Sequence, residues 1–331
     1  MRVLVTGGAG YIGSHCALLL KERGHEVWVL DNLTNGHPKA LESFLPGDRL
    51  IVADLGDTHR VEHALLGNRI DAVLHFAAFA LVGESVVRPD KYWQNNVVGT
   101  ISLLNAMRHA GVGRIVFSST AAVYGEPTVV PIPEDHPKAP CNPYGRTKLV
   151  MEEALADHAS AFGLGATVLR YFNAAGCDSQ GRLGEDHAPE THLIPLAIRA
   201  VLDPSRPFQI FGADWPTPDG TCVRDLIHVT DLADAHLLAL DRIEPGKINR
   251  YNLGNGEGHS VRQVLDAVGR AAGKAVPAQV APRRPGDPAV LVADSSRAKA
   301  ELGWKPRYPD IDAIVGSAWK WLSTHPRGYK T

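Results

Sequence analysis

Short apolar runs alternate with longer amphipathic stretches along the first half of the chain. The apolar runs predict strands at residues 2–6, 26–30, 50–52, 72–76, 114–118 and 166–172. The amphipathic stretches predict helices at residues 11–23, at about 90–110 and from residue 143 onward. Continuous runs of Val, Leu and Ile are typical of parallel strands that are covered on both faces. This alternation therefore predicts an α/β fold of the Rossmann type, in which helices cover a doubly wound parallel sheet.

The pattern changes after Phe172, where Gly and Pro become frequent and the apolar runs lose their regular spacing. Helices are predicted here at residues 192–202, 230–242, 260–272 and 313–322, and the Arg- and Pro-rich segment 280–287 is predicted to be a loop. We expect a large domain over residues 1–180 and a smaller C-terminal α/β lobe over residues 181–331. Some crossing of the chain between the two is expected.

The composition is that of a globular protein without a large charged surface. Apolar residues make up 44% of the 331 positions and charged residues 21%. The 34 Lys and Arg nearly balance the 36 Asp and Glu, which argues against binding to nucleic acid or to a membrane surface. The N-terminal apolar run is too short for a signal peptide, and no apolar run could span a bilayer. We therefore expect a cytoplasmic protein, with its four scattered cysteines reduced.

A glycine-rich segment, TGGAGYIG at residues 6–13, follows the first predicted strand and opens the first predicted helix. Gly7, Gly10 and Gly13 would allow a tight turn and a close approach of backbone N–H groups to a pyrophosphate. Asp31 closes the second strand, where a carboxylate can accept hydrogen bonds from a ribose and repel a 2′-phosphate. This order of elements predicts a dinucleotide site that prefers NAD to NADP. The alternative role of Asp31 is to cap a turn.

A second chemical signal is Tyr144, four residues before Lys148. Asn142 and Pro143 are typical of a helix start, which places the Tyr and the Lys on one face. A nearby ammonium is expected to lower the pKa of the phenol and so prepare a base for an alcohol proton. The alternative is a buried Tyr and a surface Lys that only share a helix face. A hydroxyl at Thr120, just past a strand end, would lie where an open α/β sheet meets its ligand.

Together these motifs resemble the extended short-chain dehydrogenase/reductase superfamily. Further segments resemble its UDP-glucose 4-epimerase family, in order along almost the whole chain. They are HFAA at residues 75–78, VGES at 82–85, NNVVGT at 95–100, SSTAAVYG at 118–125, RYFN at 170–173, GTCVRDLIHV at 220–229, YNLG at 251–254 and RRPGD at 283–287.

The resemblance implies that NAD stays bound in the first domain and that a UDP-sugar binds the second lobe. Residues implied to line the NAD site, besides the three glycines, are Tyr11, Ile12, Asp31, Asn32, Asp54, Leu55, Phe76, Ala77, Asn95, Tyr144, Lys148 and Phe172. The implied catalytic residues are Thr120, Tyr144 and Lys148, with Tyr144 taking the proton of the sugar 4-hydroxyl. Hydride leaves C4 for NAD, the 4-keto sugar rotates, and the hydride returns to its other face.

The residues implied to hold the UDP-sugar lie in the second lobe except Asn173, and they include two arginines suited to a diphosphate. They are Asn173, Leu193, Gln209, Phe211, Arg224, Arg284 and Asp287, with Leu291 at the position that shapes the sugar pocket. The resemblance also implies a homodimer that pairs the helices near residues 90–110 and 144–162.

Three positions depart from the family pattern: Ala80 replaces a frequent Lys, Thr120 a Ser, and His192 an Asn. The sequence contains no H-E-x-x-H motif and no clustered Cys/His spacing, so no metal is expected. His75 and His228 lie in apolar runs and are expected to be structural.

Three alternatives accompany the main interpretation, UDP-glucose/UDP-galactose 4-epimerisation. A 4,6-dehydratase or decarboxylase would need a carboxylate where Ala121 and Ala122 stand. A non-catalytic NAD-sensing protein is expected to lack the Tyr that is present here. An epimerase for UDP-N-acetylglucosamine, UDP-glucuronate or UDP-arabinose would use the same residues and stays open.

Overall fold

Strands and helices alternate through the first part of the computed structural model, which describes residues 1–284 and 287–330. The strands are β1 (Arg2–Thr6), β2 (Glu26–Asp31), β3 (Leu50–Val52), β4 (Ala72–His75), β5 (Arg114–Thr120), β6 (Gly165–Tyr171), β7 (Asn173–Ala175), β8 (Phe208–Phe211), β9 (Val223–His228), β10 (Ile248–Leu253), β11 (Gly258–Ser260), β12 (Ala278–Ala281) and β13 (Val290–Leu291). The helices are α1 (Tyr11–Glu22), α2 (Thr58–Gly67), α3 (Val82–Val87), α4 (Pro89–Tyr92), α5 (Gly99–Ala110), α6 (Pro143–Phe162), α7 (Leu193–Leu202), α8 (Val229–Asp241), α9 (Val261–Ala272) and α10 (Ile311–Thr324).

Seven parallel strands form the main sheet in the order β10-β6-β5-β4-β1-β2-β3. The chain reverses its direction of progress between β1 and β4, and ligands of open α/β sheets bind at such a point. One face is covered by α1 and α8, the other by α2, α5 and α6, each with its own apolar core. The predicted Rossmann-type fold is confirmed.

The second part of the chain forms a smaller lobe around β9. This strand pairs with β7 and β13 in parallel and with β11 in antiparallel orientation, while β8 pairs with β12. The apolar residues of α7, α9 and α10 build a third core. Two elements from beyond residue 181 return to the first part: β10 extends the main sheet beside β6, and α8 packs on α1.

Several elements differ from the sequence expectations. The helix predicted at 90–110 is divided, because a π-helical turn at Trp93–Val98 separates α4 from α5. The strand β10 was not predicted because polar residues interrupt its apolar pattern, and α2 and α3 were also missed. The loop predicted at 280–287 is wrong at its start, where Val280 and Ala281 belong to β12, and its residues 285 and 286 lie outside the described part. No helix in the described ranges is both long and apolar enough for a membrane crossing.

Candidate active site

The loop between β1 and α1 packs directly on the end of β4. Gly7 has a φ of +70°, and a Cβ there would lie 2.6 Å from the amide nitrogen of Ala77. A Cβ at Gly13 would collide with the carbonyl oxygen of Gly7. Gly10 precedes the helix without a side-chain cap, and no acidic residue lies in the first turn, which holds Tyr11 and Ile12. The free N–H groups of this turn suit the phosphate groups of a dinucleotide.

Asp31 ends β2 beside this loop and is only 6% exposed. Its Oδ2 accepts a hydrogen bond from the Ala9 amide at 3.0 Å, and its Oδ1 accepts one from the Leu33 amide at 2.9 Å. Burial raises the pKa of this carboxyl, and the two amides oppose that effect. Asp31 therefore caps the turn after β2 and also faces the glycine loop, so both sequence interpretations describe its position.

The remaining predicted cofactor residues surround the same edge of the sheet. Asn32 donates a hydrogen bond to Asp54 Oδ2 at 2.9 Å, which joins the segments after β2 and β3. Leu55 packs against the start of α5, and the ring of Phe76 packs at a tilt against His236 of α8 with ring centres 4.7 Å apart. These side chains, the glycine cradle and the uncapped helix start fit a dinucleotide.

Asn95 lies on the π-helical turn and donates a hydrogen bond to its neighbour Asn96 at 2.9 Å. Asn96 in turn accepts from the Phe79 amide at 2.9 Å and donates to Thr147 of α6 at 3.2 Å. Asn96 thus connects the loop after β4 to the helix that carries Tyr144. The sequence analysis did not identify this positioning residue, although it lies in the NNVVGT segment.

Tyr144 lies in the first turn of α6 and faces Thr120 at the end of β5. Asn142 caps the helix by accepting from the Gly145 amide at 2.8 Å, with Pro143 at the first helical position. Burial raises the pKa of Tyr144 to about 12, although a hydrogen bond from Thr120 acts in the opposite direction. The ring of Tyr92 packs edge-on against Tyr144 with ring centres 6.5 Å apart.

Lys148 lies one turn further along α6 and is 3% exposed. Its Nζ donates a hydrogen bond to the Ser118 carbonyl at 2.8 Å, below the end of β5. Burial lowers its pKa to about 7, and the charge of Glu152 limits that decrease. The expectation of a lowered pKa for Tyr144 does not hold for the protein alone, because burial of the phenol is the largest influence and raises its pKa, while Lys148 is not among the groups that shift it.

A buried ion pair joins α6, the helix that carries Tyr144, to the neighbouring strand β6. Glu152 and Arg170 are at most 2% exposed, and Glu152 Oε2 lies 2.6 Å from Arg170 Nη2. Glu152 also accepts from Ser119 at 2.6 Å, and Arg170 donates to Tyr124 at 2.8 Å. The network fixes β5, β6 and α6 relative to one another. Of its four members only Glu152 was not noted from the sequence, because Ser119 and Tyr124 lie in the SSTAAVYG segment and Arg170 lies in the RYFN segment.

Three of the predicted substrate residues meet in the smaller lobe. Arg224 Nη2 lies 3.8 Å from Asp287 Oδ1, and Leu291 is the neighbour of Arg224 across the β9–β13 ladder. Leu291 also packs with Phe172 against the apolar cluster that contains Tyr124. The lobe therefore connects directly to the end of β5 where Thr120 lies.

The other predicted substrate residues lie around this group. The guanidinium of Arg284 stacks over the Phe211 ring at 3.8 Å, and the Asp287 amide donates to the Arg284 carbonyl at 3.3 Å. Asn173 donates to the carbonyl of Asp225 on β9 at 2.9 Å. Leu193 is the first residue of α7, and Gln209 is half-buried in β8 with its Nε2 donating to the Pro207 carbonyl at 3.2 Å.

Comparison with known proteins gives a consistent result. The model of the NAD dependent epimerase/dehydratase family matches residues 3–254. A UDP-glucose 4-epimerase from Corynebacterium glutamicum is 52% identical over 98% of this chain and 96% of its own. The crystal structure of the Brucella ovis UDP-glucose 4-epimerase in complex with NAD has a TM-score of 0.92, with 46% identity over 96% of this chain and 97% of that chain. The Bifidobacterium longum enzyme in complex with NAD⁺ and UDP has a TM-score of 0.93, with 40% identity over 99% and 100% of the two chains.

Proposed function

The chain belongs to the NAD dependent epimerase/dehydratase family, and we propose that it is a UDP-glucose 4-epimerase that interconverts UDP-glucose and UDP-galactose with NAD as its cofactor. The observation that carries this proposal is the placement of Thr120 and Tyr144 together at the carboxyl end of β5, beside the switch point of the sheet. Relatives of about 50% identity over the full length support the same activity.

Thr120 and Tyr144 supply the acid–base chemistry. Tyr144 removes the proton of the sugar 4-hydroxyl, and the Thr120 hydroxyl hydrogen-bonds the reacting oxygen in both directions of the reaction. When bound, NAD supplies the hydride acceptor for sugar C4, and in its oxidised form it adds a positive ring charge that favours the phenolate. Lys148, fixed by the Ser118 carbonyl, is proposed to hold the nicotinamide ribose.

The residues after Thr120 favour epimerisation over elimination. Ala121 and Ala122 form a short 3-10 turn there, with the Ala122 amide donating to the Thr120 hydroxyl at 3.2 Å. Removal of water from the sugar needs an acid–base group beside the ketone, and two methyl side chains cannot transfer a proton. Elimination from the 4-keto sugar therefore lacks its acid–base group at this position, which favours the return of hydride to the sugar.

The smaller lobe is proposed to select the UDP part of the substrate. Arg224 and Arg284 would bind the diphosphate, because guanidinium groups form paired hydrogen bonds with phosphate oxygens. Asp287, whose side chain is 39% exposed, would accept hydrogen bonds from the uridine ribose. The identity of the sugar depends on the pocket near Leu291, so the N-acetyl, glucuronate and arabinose forms of the substrate remain the second candidates.

A product assay tests the proposal most directly. The purified enzyme with its bound NAD is expected to interconvert UDP-glucose and UDP-galactose without added cofactor and without net formation of NADH. Tyr144→Phe should keep the fold and the NAD content but reduce turnover by about 10²–10⁴-fold, because the proton acceptor is lost. Tyr308→Phe removes a hydroxyl from a ring that packs on His228 and is the matched control. Turnover above a tenth of the wild-type value in Tyr144→Phe would contradict the assignment of the base.

We also propose a homodimer in the cytoplasm. Exposed apolar side chains near the two helices expected to pair support this assembly: Trp93 is 38% exposed, Val98 48% and Phe162 58%. Charged substitutions at Val98 and Phe162 should convert the dimer to monomer in analytical ultracentrifugation. An unchanged mass in these variants would place the contact elsewhere.

A further inference from the structure

We propose that a cluster of four side chains just before α7 binds one divalent transition-metal ion of the zinc type. The cluster consists of Glu185, His187, Glu190 and His192. Each residue offers one ligand atom, and the four atoms all lie within 4.8 Å of one another. Two imidazoles and two carboxylates are a donor set that zinc accepts.

The separations between the ligand atoms fit a tetrahedral ion. His192 Nδ1 lies 3.0 Å from Glu185 Oε1 and 2.9 Å from Glu190 Oε1. His187 Nδ1 lies 3.4 Å from Glu185 Oε1 and 3.8 Å from Glu190 Oε2. Ligands at about 2.0–2.1 Å from a tetrahedral zinc ion are about 3.3–3.4 Å apart. The distances from Glu185 Oε1 to the two imidazoles and from His187 Nδ1 to Glu190 Oε2 lie near that value, whereas Glu190 Oε1 is already hydrogen-bonded to the amide and Nδ1 of His192.

Unpartnered polar atoms point independently to an ion. Glu185 Oε1, His187 Nδ1 and Glu190 Oε2 are buried and have no hydrogen-bond partner of acceptable geometry in the described part of the chain. The side chains of Glu185 and Glu190 are only 3% and 1% exposed. Buried polar atoms are costly unless a partner satisfies them, and a single ion among these three atoms would satisfy all of them.

The charge of the two carboxylates also favours a divalent cation. The two carboxylates carry two negative charges in a buried place, and a divalent cation with two neutral imidazoles balances them. The competing arrangement is a pair of ion pairs with both imidazoles protonated. In that arrangement His187 Nδ1 lies 3.4 Å from Glu185 Oε1 and 3.8 Å from Glu190 Oε2, and it has no hydrogen-bond partner among the described residues. An ion between these atoms would contact all three of them.

The position of the cluster suggests a structural role for the ion. His187 packs edge-on against Tyr11 of α1 with ring centres 6.1 Å apart, and His192 directly precedes Leu193 of α7. Because four protein ligands complete a tetrahedral shell, this is a closed site that holds segments together. The ion would fix the start of α7 against the glycine loop, and its presence does not depend on the proposed reaction.

Zinc binding to the complete, untagged, NAD-bound protein tests the proposal. The protein is treated with a chelator, dialysed, and titrated with ZnCl₂ by calorimetry, with MgCl₂ as the competing ion. Saturation at one Zn²⁺ per chain that Mg²⁺ does not displace is expected. His187→Gln and Glu190→Gln should each weaken the affinity by more than about 100-fold, because even an outer-shell change costs about 10–100-fold. The control is His109→Gln, which removes an exposed His that lies 3.5 Å from Glu62.

The outcomes separate a built site from adventitious binding to a chain with 15 histidines. Equal zinc affinity in the wild type, His187→Gln and His109→Gln would overturn the proposal, as would the absence of saturable binding in the wild type. If a variant fails to fold, as judged by circular dichroism and NAD content, Co²⁺ replaces it as the probe. The wild type should then show the intense visible absorption of tetrahedral Co²⁺, and an octahedral spectrum would contradict the site.

Discussion

Mild acid should destabilise this protein strongly, because four buried histidines are held in the neutral form. His15, His75, His228 and His236 are at most 4% exposed. Burial lowers the pKa of His15 and His236 to about 4, and that of His75 and His228 to about 3. Each must therefore stay uncharged in the folded state at a pH where the unfolded chain takes up a proton.

The surroundings of the rings explain why a proton is excluded. His75 contacts the hydroxyls of Thr6 at 2.6 Å and Thr100 at 2.9 Å, so both of its nitrogens already have partners. Within the described residues the buried Nε2 atom of His236 has no hydrogen-bond partner, so a proton there would carry an unsatisfied charge. The expectation that His75 is structural is confirmed by these contacts.

The size of the effect follows from proton linkage. The unfolded pKa of His is about 6.5 and the folded values are lower, so this stabilisation is complete above about pH 6.5 and is lost as the pH falls. Between pH 7 and 5 each of the four groups removes about 2 kcal/mol, or about 8 kcal/mol together. The folded pKa values of His187 and Asp225 are raised instead, and these two groups return about 2 kcal/mol. For these groups taken together the loss is about 6 kcal/mol, which is a large part of a typical free energy of unfolding.

Guanidinium unfolding at pH 7, 6 and 5, followed by circular dichroism in a chelating buffer, measures this loss. His236→Gln should reduce the difference between pH 7 and pH 5 by about 2 kcal/mol, because one titrating group is removed. The exposed control His109→Gln should leave the difference unchanged. A total loss below about 1 kcal/mol, or equal losses in His236→Gln and the wild type, would refute the reasoning.

Two further predictions test the supports of the site. Glu152→Gln leaves the buried Arg170 uncompensated and should lower the free energy of unfolding by about 3–5 kcal/mol in urea. The same change at Glu26, whose contact with Arg2 is 3.7 Å long and exposed, should cost less than about 1 kcal/mol, and equal costs would contradict the role of burial. Leu291→Tyr should lower turnover of UDP-N-acetylglucosamine by at least about 10-fold and that of UDP-galactose much less, since the larger ring reduces space near the sugar. Proportional losses in a two-substrate assay would show that Leu291 only packs the core.

The parts of the fold that the sequence predicted correctly are those in which burial leaves a simple pattern. Strands such as β1 and β4 are covered on both faces, so their central positions, Val3 to Val5 and Ala72 to Leu74, form continuous apolar runs. The helix start at Asn142 was predicted because a cap is a local interaction, and the structure contains its hydrogen bond to Gly145.

Elements defined by distant partners could not be predicted in this way. The strand β10 contains Asn252, which is buried because its side chain accepts from Tyr124 at 2.6 Å and donates to the Ile132 carbonyl at 2.9 Å. The cluster of Glu185, His187, Glu190 and His192 is likewise defined by contacts that the local sequence pattern does not show. Its four residues lie in an irregular segment and not at helical spacing, so a search for H-E-x-x-H could not find them.

The charge states of Tyr144 and Lys148 could not be predicted from their spacing in the sequence. A spacing of four residues places both side chains on one face of a helix, but it does not show how far each of them is buried. Burial favours the neutral form of both groups, so it raises the pKa of the phenol to about 12 and lowers that of the ammonium to about 7. The protein alone therefore holds Tyr144 protonated at neutral pH. Positive charge from a bound cofactor would favour the phenolate, so we expect the alcohol proton to be removed more readily when the cofactor site is occupied.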